Sequence, residues 1–267
     1  MINTKQYYYE LRGEGDVLLL LHGFTGSAQN WQPHTAVFSQ QYQTLTIDIL
    51  GHGRSASPTD ITPYRMENVA ADIIILLDQL KIDQAHLLGY SMGGRLALYL
   101  ALHYPKRFRT LILESASPGL ETAVSQQERI KKDNSLADWI EENGIDAFVN
   151  RWEQLPLWNS QEQLSEEQRF TLRQQRLQNN LTGLANSLRG MGTGQQPNLW
   201  PQLSSLTIPT LLLAGEHDSK FVSINQQMVS QMPNTQLKII PQAGHTVHLE
   251  QSSPFQQTIL QFLQETP

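Results

Sequence analysis

Apolar positions follow two rhythms over the first 115 residues. Short β-type runs appear at Val17–Leu21, Thr44–Asp48, Ala85–Gly89 and Thr110–Glu114. Between them, "MENVAADIIILLDQLKI" from Met66 puts Val69, Ile73, Leu76, Leu77 and Leu80 at spacings of three and four, which predicts a helix with one apolar face. Near-continuous apolar strands separated by helices imply a parallel sheet covered on both faces.

The rhythm changes from Ser117 to about Trp200. That segment is rich in Gln, Asn and Glu, holds no clear strand, and contains helix-like stretches such as "SQQERIKKDNSLADWIEENG". Strand–loop alternation returns in "IPTLLLAGEHD" and "QLKIIPQAGHTVHLE", and "SPFQQTILQFLQ" reads as a last helix. The expected organisation is an α/β core built from residues 1–116 and 201–267, with 117–200 as a helical cap over one end of the sheet. Neither flank carries enough strands to form a domain alone.

Composition removes several function classes. Hydrophobic residues make up 39% and charged residues 16% of the 267, as a globular chain requires. A net charge of −6 gives no general electrostatic attraction to nucleic acid or anionic membranes. With no cysteine, disulfides, thiolate metal sites and a catalytic thiol are excluded. The longest apolar run, Leu96 to Leu102, is too short to span a bilayer, and the N-terminus lacks the basic and apolar start of a secretory signal. A monomeric cytoplasmic protein is expected.

The candidate chemistry begins at Gly89-Tyr90-Ser91-Met92-Gly93, a G-x-S-x-G motif between a strand and a helix expected over Met92–His103. Glycines allow the sharp turn that presents the serine hydroxyl and the next backbone N–H to a reacting group. Serine needs a base, and the base needs an orienting acid. Asp218 and His245 each follow a late strand and stand in the order Ser, acid, His; Glu216 and His248 are rivals for the two roles. In "LLLLHGFTGS", Gly23 and Phe24 bring a backbone N–H opposite that of Met92, a candidate oxyanion hole. His22 and His52 suggest metal ligands by type, but no partner stands at a helix-face spacing with them, so no metal is expected.

Ser91, Asp218, His245, "HGF" and "GHGRS" together resemble the α/β-hydrolase superfamily across essentially the whole chain. "GYSMGGR", "ESASPGL", "QERIKKD", "RWEQLPLW", "RLQNNLTGLANSLRGMGTGQQP" and "GEHDSKF" narrow the resemblance to the 2-succinyl-6-hydroxy-2,4-cyclohexadiene-1-carboxylate (SHCHC) synthases. These are hydrolase-fold lyases of menaquinone and phylloquinone biosynthesis that eliminate pyruvate from an enolpyruvyl cyclohexene carboxylate. The resemblance implies no cofactor and a small polycarboxylate substrate. It implies substrate contacts from Tyr90, Arg95, Arg129, Trp152 and Arg176, with Arg173 and Arg189 as substitutes for Arg176. Arg95 also has a reason of its own, because four residues beyond Ser91 on a helix it returns to the serine's side, with its stem leaning back toward the serine. A serine hydrolase of a carboxylated ester or C–C bond substrate is the alternative, and a hydrolase-fold ligand receptor is a remoter one.

Overall fold

The computed structural model describes residues 6–266. Seven strands form one sheet in the order β1-β3-β2-β4-β5-β6-β7: β1 (Tyr9–Arg12), β2 (Val17–Leu21), β3 (Gln43–Ile47), β4 (Ala85–Tyr90), β5 (Phe108–Glu114), β6 (Thr210–Gly215) and β7 (Thr235–Ile240). Six run parallel, and β2, β4, β5 and β6 are buried nearly throughout, as their apolar runs predict, while β7 at the edge is mostly exposed. The seventh, β1, pairs antiparallel with β3 from the sheet edge. The sequence reading omits it because Tyr-Glu-Leu-Arg is mostly exposed and carries no apolar run.

Successive residues of a strand face opposite ways, and β2 shows the consequence. Leu19 and Leu21 join one core cluster with Val69, Ile73 and Leu77 of α2 (Met66–Gln79) and Leu96 and Leu100 of α3 (Met92–His103). Leu18 and Leu20 join another with Phe38 of α1 (Gln32–Phe38) and Phe255, Ile259 and Phe262. All four leucines are fully buried, each worth about 2 kcal/mol of transfer free energy. The central strands are therefore fixed from both faces, and their C-terminal ends become a rigid platform.

Between β5 and β6 the described chain is helical. It runs through α4 (Ala123–Glu153), α5 (Glu166–Leu177) and α6 (Leu181–Met191). Helix α4 is two arms that meet at Gly144, where φ is 81° and ψ is 173°, a conformation glycine adopts without a Cβ penalty. Ala137, Ile140, Phe148, Val149, Leu184, Ala185 and Leu188 form a separate apolar cluster there, and Phe24 from the loop after β2 packs against it. The core is completed by α7 (Ser219–Val229), the short α8 (Val247–Glu250) and α9 (Ser252–Gln264). No described helix is long and apolar enough to cross a membrane.

Candidate active site

Ser91 occupies the single position between the end of β4 and the start of α3, at φ 49° and ψ −106°. Positive φ on a residue with a side chain costs on the order of 1–3 kcal/mol, so the surroundings must impose it. Ser91 N–H donates to the Glu114 carbonyl on β5 at 2.8 Å, and the Ser91 carbonyl accepts from Arg95 N–H at 2.9 Å. A Cβ on Gly89 would collide with the Gly93 carbonyl, and one on Gly93 with the carbonyls of Leu21 and His22. The two glycines of the motif let α3 lie against the strand ends.

The same end of the sheet supplies Ser91 with its partners. His245, in the loop after β7, places Nε2 at 3.1 Å from Ser91 Oγ and Nδ1 at 2.7 Å from Asp218 Oδ2. The carboxylate fixes the proton on Nδ1 and leaves Nε2 to accept from the serine, the arrangement a general base needs. His245 is almost fully buried, between the rings of Tyr90, Trp158 and Phe221. Asp218 also caps α7, accepting from Phe221 N–H at 3.4 Å. The two rivals are engaged elsewhere. Glu216 accepts from Gln242 N–H, and His248 donates through Nδ1 to the fully buried Glu114 at 2.9 Å.

His22 is wired into the backbone on both sides. Its Nε2 accepts from Ile49 N–H at 2.9 Å, so its Nδ1 donates to the Gly23 carbonyl at 2.8 Å. Burial holds its pKa down to about 4, so the ring stays neutral and pins the loop that carries Phe24. His52 is fully buried, with Nδ1 donating to the Leu50 carbonyl, and burial lowers its pKa to about 3. Phe24 and Met92 both face the Ser91 cavity. Met92 opens α3, so its N–H has no carbonyl within the helix to bond.

The cavity holds about 200 Å³ and is bounded by the strand ends below and by α4 and α6 above. Tyr90, Arg95, Arg129 and Trp152 line it. The Tyr90 hydroxyl is held by Thr246 Oγ1 at 3.0 Å, and burial keeps the phenol from ionising. Arg95 bonds the Met191 carbonyl at 2.9 Å and the Gln196 side-chain oxygen at 3.5 Å; among the described residues no carboxylate pairs with it. Burial, and then the neighbouring Arg129, lower its pKa to about 10, which leaves it cationic at neutral pH. Arg129 meets Asp133 through Nε alone, at 2.7 Å. Lys220 is a third cation on the lining. The sequence reading passes over it, although it stands two residues after Asp218 in "GEHDSKF", where the first turn of a helix must share that end of the sheet.

Arg176 departs from expectation. It is absent from the Ser91 cavity and lines an adjoining one of about 270 Å³, beyond the wall formed by Tyr90 and Trp158. A guanidinium that is 5% exposed requires partners, and it takes Glu153 at 3.1 Å and Gln161 at 3.2 Å. Its proposed substitutes are also committed. Arg173 pairs with Glu153 and Asn150, and Arg189 with Asp138 and Glu141, outside the Ser91 cavity.

Comparison with known proteins agrees with this geometry. The α/β-hydrolase fold family model matches residues 16–252. A Bacillus subtilis protein named "Putative 2-succinyl-6-hydroxy-2,4-cyclohexadiene-1-carboxylate synthase" is 44% identical over 96% of this chain and 94% of its own length. The chain belongs to the SHCHC synthase family of α/β hydrolases. The solved structure of MenH from S. aureus superimposes with a TM-score of 0.93 at 41% identity, covering 98% of both chains. The chloroplast protein PHYLLO of Arabidopsis thaliana shares 33% identity over 89% of this chain, which corresponds to 15% of that longer protein. Membership in the SHCHC synthase family accounts for the cationic cavity better than the hydrolase fold does, since hydrolysis by a serine requires no guanidinium beside it.

Proposed function

We propose that this protein is the lyase that converts 2-succinyl-5-enolpyruvyl-6-hydroxy-3-cyclohexene-1-carboxylate into SHCHC and pyruvate, in menaquinone or phylloquinone biosynthesis. The observation that carries the reading is the positive floor of the Ser91 cavity, where Arg95 has no carboxylate partner and Arg129 and Lys220 stand nearby. The substrate brings three carboxylates, and a guanidinium binds a carboxylate through charge-assisted hydrogen bonds stronger than neutral ones.

In the proposed mechanism Ser91 acts as a base. His245 Nε2 takes the hydroxyl proton as Ser91 Oγ removes the ring proton next to the succinyl carbonyl, and Asp218 stabilises the imidazolium that forms. Electrons from the broken C–H bond move onto the succinyl oxygen, against the amides of Phe24 and Met92. Their return forms a C=C bond from the deprotonated carbon to its ring neighbour, the ring double bond already there shifts one position along, and the C–O bond to the enolpyruvyl group breaks. Pyruvate leaves as its enolate, takes a proton and tautomerises. Residues 117–200 act as a cap that carries Arg129 and Trp152 over the reacting centre.

The test is to supply the enolpyruvyl precursor and follow pyruvate release together with loss of the precursor's absorbance. Stoichiometric pyruvate, with little turnover of p-nitrophenyl esters, is the expected result. No pyruvate, or a serine-bound acyl intermediate that accumulates during turnover, would overturn the reading.

A further inference from the structure

A groove lies on the far side of the cavity wall, between the two arms of α4. The first arm contributes Lys131, Lys132 and Trp139, and the second contributes Phe148, Arg151 and Trp152. Leu136 and Trp152 face both the groove and the Ser91 cavity, so two side chains form the partition between them. The lining holds three cations and no acid. None of the three makes an ion pair with a described residue, whereas the nearby Asp138 and Glu141 are both taken by Arg189. Arg151 stands 4.8 Å from the centre of the Trp139 ring, so its charge is held over the aromatic floor.

We propose that this groove is an outer binding site for the polycarboxylate substrate, which docks there before passing Trp152 and Leu136 to reach Ser91. The inference rests on the lyase reading for the identity of the ligand, and on the groove's own lining for its chemistry. On a chain of net charge −6, a uniformly cationic recess attracts an anion that the rest of the surface repels. The indoles of Trp139 and Trp152, backed by the buried Phe148, give an apolar wall for a six-membered ring, while the cations beside it meet its carboxylates. Gly144 joins the arms at a φ of 81°, and Ala137, Ile140, Phe148 and Val149 pack the two arms together, which sets the angle of the groove.

Two measurements on the full chain test the site. Citrate serves as a tricarboxylate probe in calorimetric titrations at low salt. The unmutated protein is expected to show an outer class of citrate sites that survives Arg95→Gln. The triple variant Lys131→Gln, Lys132→Gln, Arg151→Gln is expected to lose it. This arm does not depend on turnover, so it reads the groove even where the lyase reading fails. In the second arm, the triple variant should keep kcat within about twofold, lose about tenfold in kcat/KM at low salt, and show a flatter dependence of kcat/KM on salt. A control that neutralises Lys106, Arg109 and Arg12 should leave kcat/KM unchanged. Citrate binding unaltered in the triple variant, or a control that loses as much kcat/KM as the triple variant, would overturn the proposal. A variant that changes oligomeric state and leaves citrate binding intact would assign the groove to a second copy of the chain instead.

Discussion

The strand-end triad and the helical cap solve the problem of holding a charged group in opposite ways. Ser91, Asp218 and His245 each sit within five residues of the end of a parallel strand, on a sheet packed from both faces. Their distances follow from the fold. Four of the cap arginines are placed by acids of the cap: Arg173 and Arg176 share Glu153, Arg189 joins Asp138 and Glu141, and Arg129 leans on Asp133. Position is inherited from the backbone in one region and negotiated among side chains in the other. A strand-end group is thus available for chemistry, while an acid-paired cap arginine is available only where its acid leaves nitrogen atoms over.

The largest difference between the regions should appear in acid. His22, His34 and His52 are all buried in the core, and residues 117–200 contain no histidine. Burial holds His22 down to about 4; His34 and His52 are held at about 3 by burial and by the neighbouring rings of His248 and His22. The native state therefore refuses protons that the unfolded chain accepts below about pH 6.5. Stability is fully present above that pH and falls as pH drops toward the folded values. At pH 5 the loss is about 2 kcal/mol per histidine, on the order of 6 kcal/mol for three, comparable with the whole stability of many domains. Urea melts at pH 7.5 and pH 5 check this. An unchanged midpoint would mean that these rings take up protons in place.

Within the site, Ser91→Ala should have the largest kinetic effect. Removal of a triad serine costs about 10⁴-fold or more in kcat where the hydroxyl carries a proton or a bond. Pyruvate release by the variant, with thermal melting as a check on folding, gives the answer. Retention of more than a tenth of the activity would show that His245 acts directly and the serine is dispensable.

The next contrast is between two arginines. Arg95→Ala removes a cation with no competing carboxylate and should lower kcat/KM about 100-fold with little change in stability. Arg176→Ala should do the reverse. It leaves Glu153 with Arg173 as its remaining cation and Gln161 without its donor. The expected cost is about 2 kcal/mol of stability and less than fivefold in kcat/KM. Equal kinetic losses in the two variants would show that substrate reaches past Tyr90 and Trp158 into the adjoining cavity.

How far the sequence discloses each region follows the same division. The central parallel strands are legible because burial on both faces leaves nearly uninterrupted apolar runs, and the serine is legible because the strand–turn–helix needs its glycines. Asp218 and His245 are legible from their order after late strands. The antiparallel β1 is not, since its exposed edge demands no apolar pattern. The commitment of Arg176 is not legible either. It depends on Glu153, which lies 23 residues away, and on the fold of the segment between them. Periodicity shows which face of a helix is apolar and says nothing of which acid an arginine will choose.

Lys220 and Arg129 allow the comparison to be made across one cavity, since the first belongs to α7 of the core and the second to α4 of the cap. They lie near enough for their charges to repel, a cost that an anion bound between them would remove. Lys220→Gln should raise KM about tenfold with kcat little changed, as expected for a contact equally strong in substrate and transition state. Arg129→Gln should do the same to a smaller degree, because Asp133 already offsets part of its charge. If the two hold one carboxylate, the double variant will lose less than the product of the single losses. Full multiplicative loss would assign a separate carboxylate to each, and the core and cap would then bind different ends of the substrate.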